Sequence, residues 1–116
     1  VIPFNVDFWT SLDAVVAAYP VMLDRPRGSA HPDYPDAVYP ADYGYLAGTA
    51  AMDGEAVDIW IGSSGLAQVD GIICAVNTAK QDIEIKILYS CTAAEMAEIL
   101  AWMNRGSQHG LLVRRD

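Results

Sequence analysis

A chain of 116 residues is the size of one domain, and its 53% hydrophobic content and mean hydropathy of +0.17 supply a core without a metal or disulfide staple. Fifteen acidic residues against seven basic ones give a net charge of −8. That balance argues against nucleic acid or an anionic membrane as partner, since phosphate contacts need clustered Lys and Arg, and it suits divalent cations. The longest apolar runs, such as Ile72–Val76, fall far short of the roughly 20 residues that cross a bilayer, and no signal-peptide pattern opens the sequence. Cys74 and Cys91 have neither framework nor zinc spacing, so reduced thiols in a cytoplasmic protein are expected.

No repeat, low-complexity tract or linker divides the chain, and residues 1–116 read as a single domain. Near the start, Phe4, Phe8 and Trp9 serve either as an interface between copies in a homo-oligomer or as cover for the core. A first helix is expected over Ser11–Tyr19, with Thr10 as cap, Asp13 three residues on and Pro20 as terminator. Val21–Leu23 reads as a short strand. The stretch from Arg25 to Pro40 carries four prolines among Tyr34, Val38 and Tyr39, which predicts an ordered, packed loop. Tyr43–Leu46, Ala56–Ile61 and Val69–Val76 are the next strands. Asp82–Tyr89 alternates, with Ile83, Ile85 and Ile87 on one face and Glu84 and Lys86 on the other. Thr92 and Glu95 form a capping box for a second helix, Met96, Ile99, Leu100 and Met103 follow at helical spacing, and Gly106 is placed to close it. Leu111–Val113 is a last strand. Short strands without intervening helices favour a mainly β, antiparallel barrel with one N-terminal and one C-terminal helix.

The densest polar feature is Asp53-Gly54-Glu55-Ala56-Val57-Asp58. Asp58 lies within an apolar strand, where a charged carboxylate is costly unless a cation or hydrogen bonds compensate it. From spacing alone, these acids either converge on Mg²⁺, which takes carboxylate oxygens and keeps several waters, or form a solvated turn. Glu84 and Lys86 are either a surface ion pair or a metal ligand beside a phosphate-binding ammonium. Tyr39, Tyr43 and Tyr45, in the string Tyr39-Pro40-Ala41-Asp42-Tyr43-Gly44-Tyr45, are either core or phenolic donors to a phosphate.

Taken in order, these strings resemble the family I soluble inorganic pyrophosphatases. The acidic signature of that family is matched by Asp53 to Asp58, its tyrosine-proline–x–x–tyrosine-glycine-tyrosine string by Tyr39 to Tyr45, its acid–x–lysine pair by Glu84-Ile85-Lys86, and its upstream string by Asp24-Arg25-Pro26-Arg27-Gly28-Ser29. The resemblance covers residues 21–104 and implies a small OB-like β-barrel hydrolysing pyrophosphate with Mg²⁺. It implies Asp53, Asp58, Glu84 and Asp24 as metal ligands, and Glu55 as the acid that assists the nucleophilic water. Lys86 and Tyr43 become phosphate-binding and catalytic groups, with Tyr39, Arg25 and Arg27 in substrate binding. Departures are Glu55 for the usual Asp, Ala56 for the common Pro, Asn77 where another Asp is expected, and a hairpin cut down to His31–Asp36. A second phosphoanhydride substrate, or a non-catalytic metal- or phosphate-binding module on the same barrel, are the alternatives.

Overall fold

The computed structural model describes residues 6–116. Helix α1 spans Val6–Ala18, strands β1 to β5 span Val21–Arg25, Asp42–Leu46, Val57–Ile61, Val69–Asn77 and Asp82–Tyr89, helix α2 spans Ala93–Met103, and β6 spans Gln108–Arg114. The strands form one six-stranded sheet in the order β1-β2-β3-β5-β4-β6. The architecture is mainly β with a helix near each end, as the sequence implies, and the sheet remains open instead of closing into a barrel. Its pairs are antiparallel except β3 with β5, which run parallel in the register Ile59↔Ile87, Trp60↔Leu88, Ile61↔Tyr89. That pair arises because the chain leaves β3 through a loop, enters the β4–β5 hairpin, and returns along β3 in its original direction.

The two-residue alternation of each strand divides the interior in two. On one face Tyr39, Trp60, Ile73, Ala75 and Leu88 pack under Met96, Ile99 and Met103 of α2. On the other, Leu46, Ile59, Val69, Ile72 and Ile87 pack under Trp9 and Val16 of α1. Helix α1 begins earlier than expected, and Thr10 lies inside it. Asp13 is no cap partner; it accepts the Val69 backbone N–H at 2.8 Å and pairs with Arg115 at 3.0 Å, fastening α1 to the start of β4 and the residue just after β6, which lie side by side. Trp9 is buried as cover for the sheet, Phe8 stands half-exposed edge-on to it, and Phe4 lies outside the described residues.

Helix α2 starts where the capping box places it. Thr92 Oγ accepts the Glu95 N–H at 3.1 Å, and the Glu95 carboxylate accepts the Thr92 N–H at 2.9 Å. The same carboxylate accepts Ser63 N–H and Oγ–H, which ties the helix start to the loop after β3. Gly62 makes this approach feasible, because a Cβ there would stand 2.6 Å from the Ser90 carbonyl and from the Glu95 carboxylate. Burial works against the Glu95 charge, but the hydrogen bonds from Thr92 and Ser63 outweigh it and hold its pKa below the ordinary glutamate value. Its stabilisation is therefore complete above that ordinary value and is lost as pH falls through the lower, folded-state one. Glu95→Gln is expected to cost about 1–2 kcal/mol at pH 7, and the gap between parent and variant should close in acid, once the pH is below the lowered folded-state value. Urea denaturation at neutral pH and in acid checks this; a gap that persists in acid would show that the carboxylate charge is not the source.

Candidate functional site

Three adjacent strands bring their side chains to one point on the α2 face. Lys86 of β5 is buried, and its Nζ lies 2.7 Å from Tyr43 Oη of β2, 2.7 Å from Asp58 Oδ2 of β3 and 3.0 Å from Glu84 Oε2 of its own strand. The parallel β3–β5 pairing sets Asp58 beside Lys86, and the antiparallel β2–β3 register sets Tyr43 opposite Trp60, one step along the same face. Alternation within β5 puts Glu84 next to Lys86. Two ammonium protons thus go to Tyr43 and Asp58, and Glu84 adds an ion pair.

Burial works against the Lys86 charge, yet the Tyr43 oxygen and the Asp58 carboxylate against it outweigh that and raise its pKa above the ordinary lysine value. Burial pushes the Tyr43 phenol up, with the Lys86 ammonium pulling the other way. At neutral pH the pair is an ammonium and a neutral phenol. Because Tyr43 Oη accepts from Lys86, the phenol proton remains to be donated elsewhere.

A cavity of about 170 Å³ opens beside this cluster. Its polar side holds Lys86, Glu84, Lys80, Asp82, Asn77 and Gln108, and its aromatic wall consists of Tyr39, Tyr43, Trp60, Trp102 and His31. The rings brace one another: Tyr43 packs on Trp60 and Tyr39 on Trp102, both at 4.6 Å between centroids. The indole N–H groups of Trp60 and Trp102 are buried without an acceptor among the described residues. Burial raises the Tyr39 phenol, with nearby Arg25 opposing it. Arg27 lines a neighbouring depression beyond Tyr39 and Trp102, near Arg105, and its backbone N–H is held by Asp42 at 2.8 Å.

Asp58, Glu84, Lys86 and Tyr43 are therefore brought together. Asp53 and Glu55 occupy the exposed turn before β3, where Asp53 Oδ1 accepts the Glu55 N–H at 2.9 Å around Gly54, whose φ is +84°. Asp24 is exposed on the edge strand β1. Among the described residues, no three His, Cys, Asp or Glu side chains form a group able to hold a metal ion. Asn77 uses its side-chain oxygen on Ala79 N–H, Lys80 N–H and Ser107 Oγ–H, which shapes the β4–β5 turn and delivers Lys80 to the cavity. Sequence reasoning missed Trp60, Trp102 and Lys80 as cavity residues; Lys80 carried a signal in its place at a turn before the Glu84–Lys86 strand, whereas the tryptophans read as ordinary core.

Replacing Lys86 by Met leaves Asp58 and Glu84 facing each other with no counter-charge and deprives Tyr43 of its donor. The carboxylates are 30% and 27% exposed, so water screens part of the repulsion. The expected loss is about 2 kcal/mol, and Asp58→Asn in the Lys86→Met background should cost less than in the parent. Equilibrium denaturation of the four proteins checks the coupling, and strictly additive losses would contradict it.

No protein-family model matches the chain, and no curated protein matches it. Solved structures do. An inorganic pyrophosphatase from Neisseria gonorrhoeae superposes with a TM-score of 0.60 at 17% identity, over 77% of each chain. One from Coxiella burnetii gives 0.58 at 13% identity, covering 81% of this chain and 82% of that one. One from Helicobacter pylori gives 0.55 at 13% identity over 81% of each. The six-stranded sheet and its two helices thus share the fold of bacterial inorganic pyrophosphatases.

Proposed function

We propose that this chain is a Mg²⁺-dependent hydrolase that splits pyrophosphate into two phosphates by attack of water. The observation that carries the reading is the buried Lys86 ammonium, held with Tyr43 between Asp58 and Glu84 at the wall of a cavity, on a fold shared with inorganic pyrophosphatases. Lys86 and the free phenol proton of Tyr43 bind phosphate oxygens and stabilise the charge that develops on the leaving phosphate; in a site of restricted water such donors are worth far more than in solution. The acceptor-less indole N–H groups of Trp60 and Trp102 fit an oxygen-rich ligand in the same cavity. Tyr39 at the cavity wall, with Arg25 beside it, attends the outer phosphate. The resemblance implies that Glu55 takes the proton of the attacking water, although it lies on the exposed turn before β3, and Arg27 lines the neighbouring depression. Free thiols and the acidic surface fit a cytoplasmic setting.

The donor set fits Mg²⁺ in its usual form, one or two carboxylates completed by phosphate oxygens and water, more than a cage made by protein alone. Asp58 and Glu84 each direct a single oxygen at Lys86 and would hold the ion, whereas Asp53 on its exposed turn and Asp24 on edge strand β1 stand outside that pair. When bound, the ion neutralises pyrophosphate charge and lowers the pKa of a water. The Lys86 ammonium competes for the same carboxylates, so its place in the cluster tunes their affinity for a divalent cation.

A second reading, a larger phosphoanhydride as substrate, is favoured by the aromatic wall of His31, Tyr39 and Trp102 and by the short loop at His31–Asp36. Phosphate release from pyrophosphate and from nucleoside di- and triphosphates, with and without Mg²⁺, distinguishes the two. Release from pyrophosphate that depends on millimolar Mg²⁺ is expected, falling on the order of 10²-fold in Lys86→Met. Thermal melting adds a readout independent of turnover: the Mg²⁺-induced rise in Tm should be larger in Lys86→Met than in the parent, because the competing charge is gone. No Mg²⁺-dependent release from any of these substrates would overturn the proposal.

A further inference from the structure

Lys80 lines the cavity beside Lys86, and two features of the β4–β5 turn fix where it stands. Asn77 Oδ1 accepts the N–H groups of Ala79 and Lys80, both at 3.1 Å, and the Ser107 hydroxyl at 3.1 Å. The Thr78 N–H goes to the Ser107 carbonyl at 3.0 Å, so the turn is fastened to the entry into β6. Gln81, the next residue, has a φ of +58°, in the left-handed region that residues other than Gly and Asn seldom take. Strain of this kind persists only where neighbours over-determine the backbone, and here the Asn77 bonds on one side and β5 on the other do so. The backbone of Lys80 is therefore held, and only its side chain is free to move.

The two ammonium groups of the cavity differ. Lys86 is buried, with Tyr43, Asp58 and Glu84 against it. Lys80 is exposed, and among the described residues no carboxylate lies within ion-pair distance of it, although Asp82 and Glu84 line the same cavity. An ammonium on a flexible four-carbon stem is a mobile point charge, able to close on an anion that a fixed group has already oriented. The cavity, at about 170 Å³, is smaller than the roughly 300 Å³ at the lower end of pockets for organic ligands, and suits a small inorganic anion. A diphosphate that places one phosphoryl group against Lys86 and Tyr43 and extends toward the turn meets Lys80 with the other. A single phosphate held at the inner wall leaves Lys80 without a partner.

We propose that Lys80 is a substrate-binding residue that holds the outer phosphoryl group and sets a preference for a diphosphate over a monophosphate. The inference rests on the reading of Lys86 and Tyr43 as phosphate-handling groups. Calorimetric titration of imidodiphosphate and of orthophosphate, at fixed Mg²⁺ and physiological ionic strength, into the parent, Lys80→Gln, Lys80→Arg and Arg114→Gln tests it. Arg114 is an exposed control that removes the same charge from the far end of β4: it stands opposite Gly71, whereas the turn follows Asn77, about 20 Å along the strand. That distance exceeds two Debye lengths, so only a local contact separates the two variants. The turn is held through the Lys80 backbone, so each variant should keep the far-UV circular dichroism of the parent. Lys80→Gln is expected to weaken imidodiphosphate about tenfold and orthophosphate less than about twofold, while Arg114→Gln leaves both within about twofold. Lys80→Arg keeps the charge and should recover most of the loss. Unchanged imidodiphosphate affinity in Lys80→Gln, with binding to the parent intact, overturns the role of Lys80 and leaves that of Lys86 and Tyr43 standing. Equal losses for the two anions, or the same loss in Arg114→Gln, overturn it as well. A parent that binds neither anion removes the underlying reading and this inference with it.

Discussion

A lysine ammonium removed from water costs several kcal/mol unless oxygens replace its hydration shell, and Lys86 is 7% exposed. The three oxygens that replace that shell come from three strands, and supplying them constrains the whole sheet. Tyr43 is delivered by β2, Asp58 by β3 and Glu84 by β5, so β2, β3 and β5 must be neighbours in a fixed register. A slip of one residue in β3 would turn Asp58 to the α1 face and bring apolar Val57 or Ile59 toward the ammonium. The parallel β3–β5 pair, a long-range contact between strands separated by the whole of β4, is therefore the one on which the polar cluster depends. The chain reaches it through a loop fastened by Glu95 to the start of α2, which couples the second core to the site.

The two helices serve different ends. Helix α1 closes an apolar core, held at its edge by the Asp13–Arg115 pair. Helix α2 closes a core that grades into the cavity: Met96 and Ile99 sit over Ile73 and Leu88, whereas Trp102 and Met103 meet Tyr39, Trp60 and the polar wall. Ring-on-ring packing through Tyr39, Trp102, Trp60 and Tyr43 makes the Tyr43 hydroxyl a fixed donor, since moving it means moving four aromatic side chains. A fixed donor beside a buried ammonium is prepared for charge before any arrives, which is the condition for electrostatic stabilisation of a transition state.

Elements whose signals are local were legible in the sequence. The strand Asp82–Tyr89 has the bounds that its alternation gives, and α2 starts at its capping box because both hydrogen bonds lie within four residues. Asp13 shows the limit: its spacing from Thr10 imitates a cap, while its partners, Val69 and Arg115, are 56 and 102 residues away. The parallel pairing and the open sheet were likewise invisible, because no residue pattern records which strands meet. At the site, alternation placed Glu84 and Lys86 on one face, and the misfit of an acid in an apolar strand singled out Asp58. That both acids would meet one ammonium followed only from the β3–β5 register. Asp53 drew notice as part of an acidic cluster, and the structure gives it a turn-forming bond to the Glu55 N–H.

The central claim is that the Lys86–Tyr43 pair handles phosphate, and binding of a non-hydrolysable pyrophosphate analogue tests it apart from turnover. Calorimetric titration of imidodiphosphate, in the presence of Mg²⁺, into the parent, Tyr43→Phe and Trp9→Phe proteins isolates the free phenol proton, with the distant core substitution as control. Binding to the parent, unchanged affinity in Trp9→Phe and a loss of about tenfold in Tyr43→Phe are expected for a hydrogen bond to a charged ligand. Equal affinity in all three proteins, or no binding to the parent, would contradict the assignment.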